Sequence, residues 1–225
     1  VTRATEAAPA DVDVLREQGT SAVSDALDLL GRGDTGLPGL LRMSGAGTVA
    51  GPAFTLRYVP VEPGTPGPAG EFLDAVPPGA VVVVANDGRT GCTVWGDLLT
   101  AAALRREIAG TVIDGVCRDV GAIRASGYPL WSLGTYMKSG KHRVRLAATQ
   151  EPVVLRGVRI APGDVLVGDD AGTLVVPAAL AGPVAEKARL VTRAEDAIRA
   201  DIAAGMPLAE ARRRHRYDAL GLVPR

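Results

Sequence analysis

The sequence predicts an α/β fold with a buried parallel sheet at its centre, and three observations carry that reading. Two continuous apolar runs, Ala80-Val81-Val82-Val83-Val84-Ala85 and Thr111-Val112-Ile113, flank a stretch of strong helix formers from Leu98 to Ala109. A β-branched run without polar alternation suits a strand covered on both faces. Strand, crossover helix and parallel strand then form a right-handed unit. Composition agrees: the chain is 47% hydrophobic but only 4% aromatic, as in Ala- and Val-rich α/β proteins.

Taken in order, the elements each have a local signal. Asp11 to Gln18 has a helical pattern, and Ser21 to Leu30 reads as a second helix capped by Thr20 or Ser21 and ended by Gly31 and Gly33. Thr48 to Val59 reads as a strand with Gly51-Pro52 inside it, and 60–70 is a Pro/Gly loop too short for a domain linker. Asn86-Asp87-Gly88 is turn chemistry that would end the strand 80–85. The helix Leu98–Ala109 should close on a left-handed Gly110. Asp119 to Ser126 reads as a short helix closed by Gly127 and stopped by Pro129.

Beyond it, Leu130 to Thr135 and 144–146, 153–155, 158–160, 165–167 and 173–176 are strand candidates. They give an antiparallel-looking second half with turns at Pro162-Gly163-Asp164 and Asp169 to Gly172. From Ala178 one long helix should reach Ala204, with Gly205 ending it and Pro207 opening another. At 225 residues one core suffices, so the expectation is one domain over 1–225, core 15–177 and helices 178–216.

Bulk properties exclude several classes. Lys plus Arg equals Asp plus Glu at 25 each, which gives no support for nucleic acid or a membrane surface as partner. The basic cluster Arg212-Arg213-Arg214-His215-Arg216 suits a solvated helix end. Two cysteines, Cys92 and Cys117, make neither a disulfide framework nor a CxxC zinc motif. Residues 1–12 carry acidic residues and no apolar core, unlike a secretory leader, and no apolar run has membrane-spanning length. A cytoplasmic location is the expectation.

The chemistry concentrates in GDLLTAAALRREIAGTVIDGVCRDV, where Gly96-Asp97 and Arg118-Asp119 are separated by 20 residues. One helix and one strand between the pairs would return both to the carboxyl edge of the sheet, where open α/β folds bind ligands. Arg118 offers a forked donor set that matches a carboxylate or α-keto acid, or equally a structural ion pair. Asp97 and Asp119 read singly as helix N-caps. The first-turn N–H groups of Leu98 and Leu99 are orphans able to hold a substrate carboxylate.

Other mechanisms have less to draw on. Two histidines, His142 and His215, rule out a His-rich zinc site and starve a Ser-His-Asp triad. Gly31-Arg32-Gly33 follows a helix and is no dinucleotide fingerprint. Lys138 and Lys141 lie in a Gly-containing loop, not in the apolar setting of a Schiff-base lysine. A metal-assisted reaction remains, and one or two carboxylates plus waters favour Mg²⁺ or Mn²⁺.

These residues carry a resemblance. GD-x20-RD, embedded in TVWGDLLTAAALRREIAGTVIDGVCRDVGAIRASGYPLWSLGT, is similar to the signature of the class II pyruvate aldolases related to the regulator of ribonuclease activity A. The type activity there is 4-hydroxy-4-methyl-2-oxoglutarate/4-carboxy-4-hydroxy-2-oxoadipate aldolase. TSAVSDAL resembles the family's N-terminal helix, GTVAGPAFTLRY its first strand region, and PGDVLVGDDAGTLVVP its late turn and strand, so the likeness covers most of 15–210.

The resemblance implies an α/β/β/α layered, swivelling-domain-like fold with a C-terminal helical extension, assembled as a trimer or dimer of trimers. Asp119 would bind the metal directly and Asp97 through water. Arg118 would contact the pyruvyl group, with Gly96 and the amides of Leu98 and Leu99 around its carboxylate. An acidic residue of the C-terminal helix, matched by Glu195 in VTRAEDAIRADIAAG, would reach the neighbouring subunit's site. Ala171 replaces the second Asp of the family's commoner Asp-x-Asp-Gly turn.

The expectation is thus a metal-dependent lyase that cleaves 4-hydroxy-2-oxo acids to pyruvate and decarboxylates oxaloacetate through the same enolate. The rival class is a non-catalytic binding regulator of ribonuclease activity on this fold, a branch that resembles the enzymes but lacks the metal-binding Asp; Asp119 favours the enzyme. A methyltransferase is discounted, since no Gly-rich loop follows the first strand.

Overall fold

The two β-branched runs become neighbouring strands. The computed structural model describes residues 6–62 and 71–220, so 63–70 of the predicted Pro/Gly loop lie outside the described residues. In chain order the elements are α1 (Pro9–Leu29), β1 (Leu41–Ser44), β2 (Val49–Pro60), β3 (Val81–Thr93), α2 (Asp97–Arg105), β4 (Gly110–Cys117), α3 (Val120–Ser126) and β5 (Leu130–Thr135). They continue as β6 (Val144–Thr149), β7 (Val153–Leu155), β8 (Val158–Ile160), β9 (Val165–Gly168), β10 (Thr173–Val176), α4 (Ala181–Ala203) and α5 (Leu208–Arg214).

The main sheet runs β1-β5-β4-β3-β2-β9-β10, with β6 also on β2. Its centre is parallel as expected, β2 on β3 on β4 on β5. Every residue of β4 is buried. Strand β2 serves two sheets: Val49–Pro52 pairs with β9, and Ala53–Arg57 pairs with β3. The changeover falls between Pro52 and Ala53, and just before it a Cβ on Gly51 would lie 2.2 Å from the Gly79 carbonyl oxygen, so no larger residue fits.

Three apolar cores mark the interfaces of an α/β/β/α stack. One includes Val82, Val84, Ile113 and Trp95 with Ala103 of α2 and Ile123 of α3. The middle one faces sheet on sheet, with Val83 and Val112 against Leu166 and Val175, and Leu155 of the β7–β8 hairpin closing it. The third joins Val167 and Val176 to Leu15 and Val23 of α1 and to Val184 and Ala188 of α4. Each fully buried aliphatic side chain contributes roughly 1.5–3 kcal/mol. The layered fold and the C-terminal helices are those the resemblance implies. Among the described residues no helix is long and apolar enough to cross a membrane.

Several local expectations are corrected. The two N-terminal helices form one assigned element, broken at Gly19 (φ 78°, ψ 169°). Neither Thr20 nor Ser21 caps the second half. The Asp169 carboxylate does so from the far turn, accepting Thr20 N–H at 2.8 Å and the Thr20 hydroxyl at 2.7 Å.

Asn86-Asp87-Gly88 does turn, with φ 56° at Asp87 and 64° at Gly88, yet β3 resumes to Thr93 as an irregular ladder on β4. Helix α2 stops at Arg105, and the left-handed residue is Glu107 (φ 56°). Gly110 instead starts β4, close against the Pro129 carbonyl. Strand β5 lies parallel to β4, so the antiparallel half begins after it. The short, half-exposed β1 carried no signal that marked it in advance.

Candidate active site

The β3–α2 and β4–α3 connections end side by side at the carboxyl edge of the sheet, and the two predicted pairs meet there. Arg118 N–H donates to the Trp95 carbonyl at 3.0 Å. Arg118 Nε lies 3.2 Å from Asp119 Oδ2, and the Asp97 N–H reaches the same oxygen at 3.4 Å. A cleft of about 180 Å³ opens beside them, walled by Trp95, Gly96, Leu98, Arg118, Ser139 and Gly140 among others. It also takes in Asp97 and Leu99, with Asp119 at its edge behind Gly96.

The geometry separates the readings that the sequence left open. Asp119 occupies the N-cap position of α3 in a left-handed conformation (φ 57°), but its side chain makes no capping bond. Its carboxylate turns to Arg118 and the Asp97 amide instead. Arg118 does form an ion pair, but through Nε; among the described residues its two terminal nitrogens have no protein partner. Both side chains are 37% exposed. A fork of free guanidinium donors in the wall of a small cleft suits a planar oxo acid.

Leu98 and Leu99 are less equivalent than their sequence suggests. Leu98 N–H donates to Asp97 Oδ1 at 2.8 Å, so the Leu99 amide is the first-turn donor left for a ligand. The side chain of Leu98, which lines the cleft, is 77% exposed, and so is that of Met137, two residues before Ser139. Glu195 is not brought to this cleft within the chain. It sits on α4, 2.7 Å from Arg199 Nη2, and accepts the Tyr217 hydroxyl at 3.0 Å.

The donors fit a hard, hydrated cation. Among the described residues no three His, Cys, Asp or Glu side chains cluster as a cage would need. Asp119 Oδ1 has no partner among the described residues, Asp97 is exposed next to it, and one or two carboxylates completed by waters is the usual setting for Mg²⁺.

Neither cysteine lines the cleft, and both are buried. Burial pushes the Cys117 thiol up, and it packs 3.6 Å from the Ser132 hydroxyl. Burial also raises Cys92, against the opposing charges of Arg143, Arg89 and Lys138.

Two contributors escaped the sequence reading. Thr93 ties both connections together through its hydroxyl, and the 136–143 loop brings Ser139 and Gly140 into the cleft wall. Thr93 N–H donates to the Lys138 carbonyl at 2.8 Å, and a Cβ on Gly140 would lie 2.5 Å from the Thr93 carbonyl. Neither has a local sequence signal, because the Thr93 hydroxyl reaches Val116 23 residues on and the loop reaches Thr93 from Lys138 and Gly140. A larger groove of about 520 Å³ lies by the start of β3, where Pro9, Pro52, Pro77, Pro78 and Pro162 form much of the wall. No comparable set of free donors converges there.

With this geometry in hand, comparisons place the chain. Residues 20–175 match the family described as RraA-like, Aldolase/RraA. The protein DlpA of Legionella pneumophila is 42% identical over 201 residues, 88% of this chain but only 32% of that protein, so the chain spans about a third of its length. A provisionally named 4-hydroxy-4-methyl-2-oxoglutarate aldolase of Halalkalibacterium halodurans is 33% identical over 76% of this chain and 78% of its own. The crystal structure of an uncharacterized Pseudomonas syringae protein superposes with a TM-score of 0.86 at 43% identity, covering 92% of this chain and 99% of that one.

Proposed function

Because the chain belongs to the RraA-like Aldolase/RraA family, we propose that it is a divalent-metal-dependent lyase cleaving 4-hydroxy-2-oxo acids to pyruvate. The observation that carries this is Arg118: its Nε holds Asp119 while its terminal nitrogens stand free in the wall of the cleft. A purely structural arginine would have no use for that free fork.

In this reading Arg118 grips the carboxylate and 2-oxo oxygen of the substrate in one plane, and the Leu99 amide takes the other carboxylate oxygen. Asp119 directly, and Asp97 through water, would hold Mg²⁺ or Mn²⁺, which when bound supplies Lewis-acid polarisation of the 2-oxo group. The 4-hydroxyl proton passes to a water ordered by Asp97. As the C3–C4 bond breaks, C4 leaves as the carbonyl carbon of the second product, the bond's electron pair forms the pyruvate enolate, and Arg118 stabilises the oxygen on which charge develops. Protonation at C3 releases pyruvate. Decarboxylation of oxaloacetate reaches the same enolate and is expected as a second activity.

The functional unit in this reading is a trimer or dimer of trimers, with the neighbouring subunit's Glu195 completing the site. The exposed apolar side chain of Leu98 in the cleft lining, and the engagement of Glu195 with Arg199 and Tyr217 and not with the cleft of its own chain, support an intersubunit site. A binding regulator on this fold would leave Asp119 and the free guanidinium without a task.

The test is pyruvate release from a panel of 4-hydroxy-2-oxo acids and from oxaloacetate with Mg²⁺ or Mn²⁺. Activity that vanishes on chelation and returns with metal is expected. Full turnover after exhaustive chelation, or no pyruvate from any substrate, would sink the reading.

A further inference from the structure

We propose that Thr93 is the positioning residue of the cleft, its hydroxyl holding the 94–99 turn in register with Arg118 and Asp119. The regular ladder between β3 and β4 has already failed here: its register shifts between Ala85 and Arg89 and again between Arg89 and Thr93. Past Thr93 the backbone groups of both connections need other partners. A buried polar group left unpaired is costly, so something must replace the ladder.

The Thr93 side chain does this. It is 4% exposed, and Oγ1 lies 2.9 Å from both the Trp95 and Val116 carbonyl oxygens. The same oxygen accepts Trp95 N–H at 3.2 Å. One hydroxyl therefore bonds its own connection in both directions and shares its single proton with the end of β4. Because the Trp95 carbonyl also accepts Arg118 N–H at 3.0 Å, the bond closes a ring around the segment that aims Arg118. The Thr93 backbone secures the third wall through the Lys138 carbonyl. Downstream, Thr100 Oγ1 accepts Trp95 Nε1 at 2.9 Å and bonds the Gly96 carbonyl at 3.0 Å, which passes the constraint into α2.

The kinetic consequence rests on the lyase reading; the structural one does not. The experiment compares the parent with Thr93→Val, which keeps the shape and removes the hydroxyl, and Thr93→Ser, which restores it. Thr55→Val is the control, since it deletes another buried hydroxyl bond, that to the Glu151 carbonyl at 2.7 Å, on a residue that does not line the cleft.

Hydrogen–deuterium exchange of 94–99 should speed up at least several-fold in Thr93→Val and return to the parental rate in Thr93→Ser. A displacement of about 1 Å at a reacting centre costs on the order of 100-fold, so pyruvate release by Thr93→Val should fall roughly that far, chiefly in kcat. Thr55→Val should lower the melting temperature and change neither readout. Parental exchange at 94–99 in Thr93→Val overturns the proposal whatever the turnover. So does a kcat loss no larger than that of Thr55→Val. If the parent releases no pyruvate at all, the lyase reading fails and the exchange rates alone decide for or against Thr93.

Discussion

Asp119 stands where a side chain on Gly96 would have to go. A Cβ built on Gly96 would lie 2.7 Å from Asp119 Oδ2 and 3.2 Å from Arg118 Nε. The glycine is not there for its backbone freedom, since φ −154° is extended conformation open to any residue. It is there so that a carboxylate and a guanidinium can close against the main chain.

Gly96→Ala therefore separates fold from function. The atoms in the way are ends of flexible, half-exposed side chains, so the fold should accommodate the methyl group with a melting temperature near that of the parent. Asp119 must then move, and affinity for Mg²⁺ or Mn²⁺ and kcat should each fall about 10- to 100-fold. Calorimetric metal titration and pyruvate release measure the two. An Ala variant that keeps both would show that the close approach of Gly96 and Asp119 serves nothing.

Arg118→Lys should fold and fail. An ammonium keeps the charge but cannot hold Asp119 through one nitrogen while offering two more in a plane. Loss of a group aimed at the developing charge costs about 100- to 1000-fold in kcat, roughly 3–4 kcal/mol. If Arg118 only tied down the fold, melting temperature would drop and specific activity would survive. Measuring both on one preparation distinguishes the outcomes.

Much of this arrangement is legible in the sequence, for a physical reason. Strands buried on both faces must be apolar throughout, so β3 and β4 announce themselves, and the helix between them fixes which ends meet. Turn chemistry was less decisive. Asp87 and Gly88 adopt the left-handed conformations that Asn-Asp-Gly favours, but neighbouring β4 carries the strand onward, and only the packed sheet decides that. Gly110 looked like a helix end because glycine is cheap there; its space is used against Pro129 instead. The roles of Thr93 and Ser139 are invisible in one dimension, as is the destination of Glu195, because long-range contacts assign them.

Assembly can be weighed directly. Sedimentation velocity should give a trimer or larger species, and Met137→Asp, which puts a charge on an exposed apolar side chain of the 136–143 loop, should weaken it. A parent that stays monomeric while fully active at nanomolar concentration would remove Glu195 from the site.

The Asp169 carboxylate offers a test of the fold from the acid side. Burial opposes its ionisation, but the Thr20 amide and hydroxyl, the Ala171 amide and the Arg42 charge outweigh that and hold it below the usual carboxylate value. A lowered folded pKa stabilises above the unfolded value and is lost as pH falls through the folded one. Asp169→Ala should cost about 2–3 kcal/mol near neutrality, a helix cap plus charge-assisted bonds. That deficit should shrink between about pH 5 and about pH 2. Urea unfolding across that range checks it, and a deficit independent of pH would mean that packing, not charge, is what Asp169 supplies.

Asp114 should show the opposite sign. It is buried in β4 with its side chain 7% exposed, and Arg156 Nη1 from the β7–β8 turn stands 3.6 Å from Oδ1. Burial raises its pKa, while Arg156 and the Gly88 amide oppose the rise. A raised folded value means that the native protein holds this proton more tightly than the unfolded chain, so stability falls as pH rises between the two values. Arg156→Met removes the cation and leaves the stem, which pushes the Asp114 carboxyl higher still. Breaking a buried pair costs about 3–5 kcal/mol, but Arg156 is 37% exposed, which reduces the expectation to roughly 1–3 kcal/mol. The deficit should be smallest at the acid end of the range, as the carboxyl takes up its proton in both proteins, and should grow as pH rises and the carboxyl ionises. Adding Asp114→Asn to Arg156→Met should flatten that dependence, because no buried charge then remains to be compensated. Urea midpoints for the parent, the single variant and the double variant across this range decide the matter. A single-variant deficit that is the same in acid and at neutrality would show that Arg156 holds the hairpin through the Pro38 carbonyl, 3.1 Å from its Nε, and not through Asp114.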